Sequence, residues 1–348
     1  MRRWPAVLVL ALAACTQPAG NPVAHVSTPT PSPTSSPDLP ISTLSFSCRL
    51  PVYGNSADGT SAIADSFVDF PSGQVTADPK GKQGKYYDLA FDRWLPVPRQ
   101  AVSPDGTRYA FVDPRQSSEI VIHTVDVATG ADTVVHLRDS ATGFNGEVEV
   151  FDYAPEGIYL TQGFEHIFPG VWLYNPRTRA VSKVADLEVP ELSAGSGVFW
   201  FGAVNKVDSS PVASGSSAGI LPDEVDRINL RTGAQALWLF RAGVAVSILG
   251  VDVLGRPLII ALVPSPKLDG KGTGEDFYQH AQSELLLGLS TTAQRSVYKG
   301  KVVETLKGAI ADSHGVWLGS SQGIYHYSDA SGLQKVSDHA GTPANGCF

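Results

Sequence analysis

Side chains suited to ligand binding concentrate in two stretches of this sequence, 162–170 and 264–282, where aromatic rings stand beside ionisable groups. The candidate residues are Phe164, Glu165, His166, Phe168, Asp269, Glu275, Asp276, Tyr278 and His280. Loops that carry such groups on a rigid scaffold are frequent sites of recognition. We therefore predict that these residues form a ligand-binding face. The alternative is that the rings fold back onto the core while the acids are solvated.

The spacing of the polar residues does not match a known catalytic or metal-binding pattern. The pattern G-x-S-x-G occurs at 215–219 and 319–323, but in an all-β sequence neither copy is expected to join a strand to a helix as a nucleophile elbow does, and H-E-x-x-H does not occur. The segment 269–276, DGKGTGED, is rich in glycine, but Lys271 and Thr273 stand where a calcium loop needs carboxylates. We predict no catalytic residue, no bound metal and no cofactor. The formal charge of −8 also argues against nucleic acid as a partner, because binding it requires a basic patch.

The first residues indicate export. Arg2 and Arg3 precede the apolar run Trp4–Ala14, which is too short to span a bilayer, so 1–14 is predicted to be a signal peptide. The tetrapeptide LAAC that ends at Cys15 resembles the lipobox of bacterial lipoproteins. That resemblance implies acylation of Cys15 and a lipid anchor on the extracytoplasmic side of the cell envelope. An ordinary secretory signal with an incidental cysteine is the alternative.

Composition then divides the remaining chain into a linker and a folded domain. Residues 15–43 are rich in Pro, Thr and Ser and hold few large apolar side chains, which predicts a disordered tether. Residues 44–348 form the folded domain. The 34 glycines and 25 prolines of the chain, together with many β-branched runs, predict an all-β class.

Repeated turns in the folded domain predict repeated four-stranded units. The clearest unit is Ala101–Leu137, in which turns at 103–106 and 127–130 flank the β-branched run 120–127. An earlier turn recurs at 71–73, 105–106, 157, 197, 254–255 and 315, and a later turn at 91–93, 126–130, 175–179, 229–233, 288–292 and 329–332. This repetition predicts a six-bladed β-propeller. Seven blades, a β-sandwich or two stacked barrels are the alternatives.

Two segments support the propeller by resemblance. Val102–Phe111, followed by a D-x-x-T-G turn, resembles the WD-like repeat of TolB-type propellers. Asp312–Tyr327 is similar to the repeat of two-component-regulator propellers. Each match is one blade long. The resemblance implies the fold and no particular activity, because propellers include enzymes, binders and scaffolds.

Two further sets of residues have structural roles in this interpretation. Cys48 and Cys347 stand at the two ends of the folded domain, which a propeller brings together, so they are predicted to form a disulfide in an oxidising compartment. Two free thiols are the alternative. Five tryptophans in predicted strands are expected to pack between blades: Trp94, Trp172, Trp200, Trp238 and Trp317.

These features together predict a membrane-anchored, extracytoplasmic and monomeric propeller that acts as a binding or scaffolding module. Its ligand would be an unidentified protein, peptide or glycan. Two alternatives stay open. One is an extracytoplasmic hydrolase or lactonase with carboxylates at the propeller channel, and the other is a sensor or accessory subunit of an envelope complex.

Overall fold

A computed structural model describes most of the folded domain. The described residues are 39–55, 62–81, 84–113, 119–138, 147–164, 167–186, 192–195, 198–203, 222–263 and 282–348. All of them belong to one compact unit, Ser36–Phe348. Their regular structure is almost entirely β-strand, with two short 3-10 turns at Arg99–Ala101 and Lys301–Thr305. In these ranges the chain has no helix of the length and apolarity required to cross a membrane.

The first strands form one sheet and one hairpin. The sheet contains β1 (Cys48–Asn55), β2 (Ala62–Phe70) and β3 (Gln74–Ala77), and the hairpin contains β4 (Tyr86–Asp88) and β5 (Arg93–Leu95). Successive strands pair antiparallel.

The following strands repeat one pattern, a sheet of consecutive antiparallel strands. They are β6 (Arg108–Val112), β7 (Glu119–Asp126) and β8 (Asp132–Arg138); β9 (Glu147–Ala154), β10 (Gly157–Phe164), β11 (Ile167–Asn175) and β12 (Ala180–Ala185); β13 (Leu192–Gly195), β14 (Val198–Ala203), β15 (Glu224–Asn229) and β16 (Gln235–Phe240); β17 (Ala245–Val251), β18 (Pro257–Val263), β19 (Gln282–Ser290) and β20 (Ala293–Lys299); and β21 (Leu306–Asp312), β22 (Gly315–Ser320), β23 (Gly323–Ser328) and β24 (Gly332–Ser337).

The last strand, β25 (Thr342–Pro343), joins the first sheet by pairing with β1. The strand order of that sheet is therefore β25-β1-β2-β3. The first strands of successive sheets contact one another in sequence, from β6 through β9, β13 and β17 to β21, and β21 contacts β25. Sheets of consecutive strands, packed side by side and closed by the chain end, are the blades of a β-propeller. The fold prediction is confirmed, while the blade number of six stays a prediction.

The β4–β5 hairpin lies between the first sheet and the β6–β8 sheet. Tyr87 packs with Phe67 of β2, whereas Tyr86 packs with Val102 and Val127 beside the β6–β8 sheet. Neighbouring residues of a strand point to opposite faces, so one hairpin fills the space between two sheets. The later turn that the sequence analysis placed at 91–93 belongs to this inserted hairpin, and that assignment is wrong.

The turn at 71–73 also needs correction, because it belongs to the later series and not to the earlier one. The amide of Gly73 donates to the carbonyl of Asp69 at 2.8 Å, as the amide of Gly130 donates to the carbonyl of Asp126 at 2.8 Å. The turn leads from β2 to β3, the last two strands of its sheet. The unit Ala101–Leu137 contains three strands, and its fourth element is a single bridge between Val102 and Tyr109.

Aromatic side chains fill the spaces between the sheets. Trp172 lies in a buried cluster with Ile122 of β7 and Val148 of β9, and Trp200 lies in a cluster with Ile259 of β18. Trp317 of β22 stacks on Phe70 of β2 with ring centroids 5.3 Å apart. The prediction of packing between blades is confirmed for these three tryptophans.

The two ends of the folded domain are joined by a covalent bond, and a partly buried carboxylate holds the C-terminal end in place. Cys48 and Cys347 form a disulfide across a sequence separation of 299 residues. Asp312 Oδ2 accepts hydrogen bonds from Trp317 Nε1 and from the Cys347 amide, both at 2.7 Å. Asp312 therefore connects the β21–β22 turn to the C-terminal segment that carries the disulfide.

Removing the disulfide is expected to lower stability without changing the fold. In the chain-entropy model, a cross-link across a loop of this length contributes up to about 5 kcal/mol by restricting the unfolded chain. The double variant C48S/C347S should keep the circular dichroism spectrum of the wild type and unfold at a lower urea concentration. Equal unfolding midpoints for the variant and the oxidised wild type would contradict this expectation.

Candidate functional site

A groove runs along the edge of the sheets where β9 turns into β10 and β11 turns into β12. Its first cleft, of about 830 Å³, lies between the β6–β8 and β9–β12 sheets. Its second cleft, of about 530 Å³, lies between the β9–β12 and β13–β16 sheets. Pro155 and Glu156 line both clefts, so the two clefts meet at the β9–β10 turn. Together they form what we term the turn groove.

The turn before β6 forms one wall of the first cleft. Asp105 Oδ1 accepts hydrogen bonds from Ser103 Oγ at 2.6 Å and from Thr107 Oγ1 at 2.9 Å. The hydrogen bond from Ser103, reinforced by those from Thr107, lowers the pKa of Asp105. The carboxylate therefore holds its own turn in place and stays ionised.

Two turns of the same construction place arginines along the groove. Asn175 Oδ1 accepts from the amides of Arg177 at 2.9 Å and Thr178 at 3.1 Å. Asn229 Oδ1 accepts in the same way from the amides of Arg231 and Thr232, both at 3.0 Å. An asparagine that bonds the backbone two and three residues ahead fixes a tight turn. Arg177 and Arg231 consequently occupy equivalent positions on neighbouring sheets.

Close backbone contacts require glycine at two positions of the groove. A Cβ atom on Gly157 would lie 2.4 Å from the carbonyl oxygen of Tyr174, and one on Gly233 would lie 2.6 Å from that of Val184. Both residues also have positive φ, +154° and +69°. The turns that form the groove are therefore seated tightly on their neighbouring strands.

A buried tyrosine holds Glu156, which lies where the two clefts meet. Tyr159 is fully buried, and its hydroxyl donates to Glu156 Oε1 at 2.9 Å. Burial raises the pKa of Tyr159, and the hydrogen bond to Glu156 raises it further. Asp152 lies opposite Tyr159 in the β9–β10 register, and burial together with the charge of Glu156 raises the pKa of Asp152 to about 6.

A further carboxyl with a raised pKa, that of Asp226, lies on β15. Burial and the neighbouring charge of Glu224 raise the pKa of Asp226 to about 7. The buried Oδ1 atom of Asp226 has no hydrogen-bond partner among the described residues. Perturbed carboxyls of this kind occur at functional sites as well as in structural positions. Asp226 lies opposite Phe201 of β14 in the sheet register and does not line the turn groove.

Most residues of the predicted ligand-binding face fall outside the described part of the chain. Phe164 and Phe168 are at the ends of β10 and β11 that meet in the β10–β11 connection. Outside the described residues lie Cys15, Glu165, His166, Asp269, Glu275, Asp276, Tyr278 and His280. The ligand-binding face and the lipidation site stay predictions.

The turn groove is at the other end of the β10 strand from that predicted face. In the sequence these turns mark repeated units and do not stand out as a binding site. One signal was present, since Asn175-Pro176-Arg177 and Asn229-Leu230-Arg231 place an arginine at the same turn position twice. In the ranges that the structure describes, no cluster of three or more His, Cys, Asp or Glu residues is arranged to hold a metal ion.

Comparison with known proteins identifies similar structures but no family. No family model and no curated protein sequence matches this chain. TolB from Acinetobacter baumannii is 12% identical, with a TM-score of 0.40 over 82% of this chain and 65% of the TolB chain. Hydrazine synthase from Kuenenia stuttgartiensis is 12% identical, with a TM-score of 0.43 over 85% of this chain and 78% of that chain. A prolyl endopeptidase is 16% identical, with a TM-score of 0.43 over 83% of this chain and 42% of that chain.

This chain thus spans slightly less than two thirds of the TolB chain. Similarity of this degree does not transfer an activity from any of these proteins.

The raised pKa of Asp226 makes stability depend on pH in a defined direction. Asp226 ionises near 3.8 in the unfolded chain and near 7 in the folded one, so the folded protein holds more protons between these values. Its contribution to stability is complete below pH 4 and is lost as the pH rises through 7. The variant D226N should therefore have a higher Tm than the wild type at pH 8, with the difference shrinking toward pH 4.

The exposed Glu149 of β9 supplies the matched control. E149Q removes an exposed carboxylate from the same kind of strand, and the Tm changes caused by D226N are compared with those caused by E149Q. A D226N variant with the same Tm difference from wild type at pH 4 and at pH 8 would show that Asp226 titrates normally.

Proposed function

We propose that this protein is an extracytoplasmic β-propeller, tethered to the membrane through lipidated Cys15, that acts as a binding module for another macromolecule. The observation that carries the binding role is the turn groove. Its clefts of about 830 and 530 Å³ are of the size of ligand sites. Its walls are turns whose hydrogen bonds are made internally, as at Asp105, Asn175 and Asn229. A preformed site of this kind loses little conformational entropy on binding.

The extracytoplasmic location is supported by the cysteines. A disulfide such as Cys48–Cys347 persists in oxidising compartments and is rare in the cytosol. The N-terminal segment ending in LAAC provides the signal for export and acylation. Two or three acyl chains would hold the propeller at the membrane surface.

One observation favours the alternative of a hydrolase or lactonase. Asp226 has a pKa of about 7, which suits a general acid or base at neutral pH. Asp226 does not line the turn groove, and burial together with Glu224 accounts for its raised pKa, so the binding role is the better supported of the two. The accessory-subunit alternative is a special case of binding, in which the partner is a fixed component of an envelope complex.

The tether is tested by fractionation of cells that express the full-length chain with a C-terminal tag. The wild type should sediment with membranes and incorporate radiolabelled palmitate. Cys15→Ser should lose the label and appear in the soluble exported fraction. Equal membrane association of the two proteins would contradict lipid anchoring.

The binding role is tested by capture from detergent-solubilised membranes, with partners identified by mass spectrometry and confirmed by reciprocal capture. We expect at least one partner to pass the reciprocal step. Turnover of ester or lactone substrates by the purified protein, lost in D226N and kept in E149Q, would instead favour the enzyme. The absence of any reciprocal partner would count against the binding module.

A further inference from the structure

The turn groove differs in charge from the protein as a whole. The chain carries a formal charge of −8. The charged residues that line the groove are four basic and two acidic: Arg108, Arg177, Lys183, Arg231, Asp105 and Glu156. The lining is thus net positive on an acidic protein. Such a surface attracts anionic partners, and the attraction weakens with added salt.

The two acids of the lining are already engaged within the groove walls. Asp105 accepts hydrogen bonds from Ser103 and Thr107, and Glu156 accepts one from the buried hydroxyl of Tyr159. Their oxygens hold the walls together and have less capacity left for a ligand. A cationic partner would therefore find few acceptors in the groove.

The two turn arginines, in contrast, have no assigned role. Arg177 and Arg231 are exposed, and neither guanidinium forms an ion pair with a described residue. Elsewhere in the described chain Arg49 pairs with Asp69 at 2.7 Å, and Arg256 pairs with Asp252 at 2.6 Å. A guanidinium is a planar fork that binds a carboxylate through two parallel hydrogen bonds. Arg177 and Arg231 thus present two guanidinium groups, on turns of the same construction, that could each bind a carboxylate.

Each cleft contributes its own pair of basic side chains. Arg108 and Arg177 line the first cleft, and Lys183 and Arg231 line the second. Lys183 is partly engaged, since its ammonium pairs with Asp186 and lies 5.2 Å from the Trp172 ring centroid. A ligand that reaches both arginines must cross the β9–β10 turn between the clefts. The groove therefore suits an extended ligand better than a compact one.

The uncharged lining favours a peptide over a glycan. Pro104, Pro155 and Pro176 offer rigid apolar surface to aliphatic side chains. Sugars are commonly held against the exposed face of an aromatic ring, but Tyr153 and Tyr159, the aromatic residues of the lining, are both buried.

We propose that the turn groove binds an extended acidic peptide segment of a partner protein, with one carboxylate received by Arg177 and another by Arg231. This assignment rests on the proposed binding role and names the chemistry of the partner. It places recognition at the end of the β10 strand opposite the β10–β11 connection.

The test uses the purified full-length protein and a fluorescein-labelled decapeptide of alternating Glu and Ala, with binding followed by fluorescence anisotropy. We expect saturable binding by the wild type that weakens as salt is raised. The charge-reversal variant R177E/R231E should bind at least tenfold more weakly. The matched control K301E/K307E, which changes the same total charge at exposed positions outside the groove, should bind within twofold of the wild type.

Absence of saturable binding by the wild type, or an equal loss in the control variant, would overturn the proposal. A heparin-derived octasaccharide that binds where the peptide does not would assign the groove to a glycan instead. If R177E/R231E fails to fold, as judged by circular dichroism, R177Q/R231Q gives the same test and should still lose binding several-fold.

The outcome is separable from that of the proposed function. A membrane partner that R177E/R231E still captures would overturn the acidic-peptide assignment and leave the binding module intact. Peptide binding by the purified protein without any reciprocal membrane partner would support the acidic-peptide assignment and count against the membrane-bound binding module.

Discussion

The structure depends on the pairing of the last strand with the first. β25 hydrogen-bonds to β1, and the segment that follows is held by the disulfide and by Asp312. Each sheet buries its faces against its neighbours, so a propeller without closure would expose the faces of its end sheets. Asp312 adds a second constraint, because one carboxylate satisfies both the Trp317 indole and the Cys347 amide. Closure thereby fixes the relative positions of the turns on neighbouring sheets.

The turn groove results from a turn that is repeated on neighbouring sheets of the closed ring. The same asparagine-based turn occurs at Asn175 and at Asn229, on sheets that pack side by side. Repetition therefore creates two arginines at equivalent positions, and the clefts between the sheets place them along one groove. At Gly157 and Gly233 the backbone leaves no room for a Cβ atom, so these turns pack directly against the neighbouring strands. The walls of the groove are the turns that connect the strands of the sheets, so the groove forms when the propeller folds.

Local chemistry was predictable from the sequence, and long-range pairing was not. Glycine, proline and asparagine mark turns by their own backbone preferences, so the all-β class and most turns could be predicted. The Pro71-Ser72-Gly73 turn was placed in the wrong series because its neighbours in space decide which strands it joins. The two-residue strand β25 is too short to show an alternation of apolar and polar residues, and it is a strand only through its pairing with β1. The groove combines residues of three sheets, such as Arg108, Glu156 and Arg231, and their proximity exists only in the folded chain.

The long separation of Cys48 and Cys347 along the chain determines when the ring can close during synthesis. Cys48 emerges early, but its partner follows 299 residues later. Until then β1 lacks the neighbour that completes its sheet, and its edge remains open to other strands. The first sheet is therefore completed only after β25 has been synthesised, and the Cys48–Cys347 disulfide can form only when the ends of the ring have met.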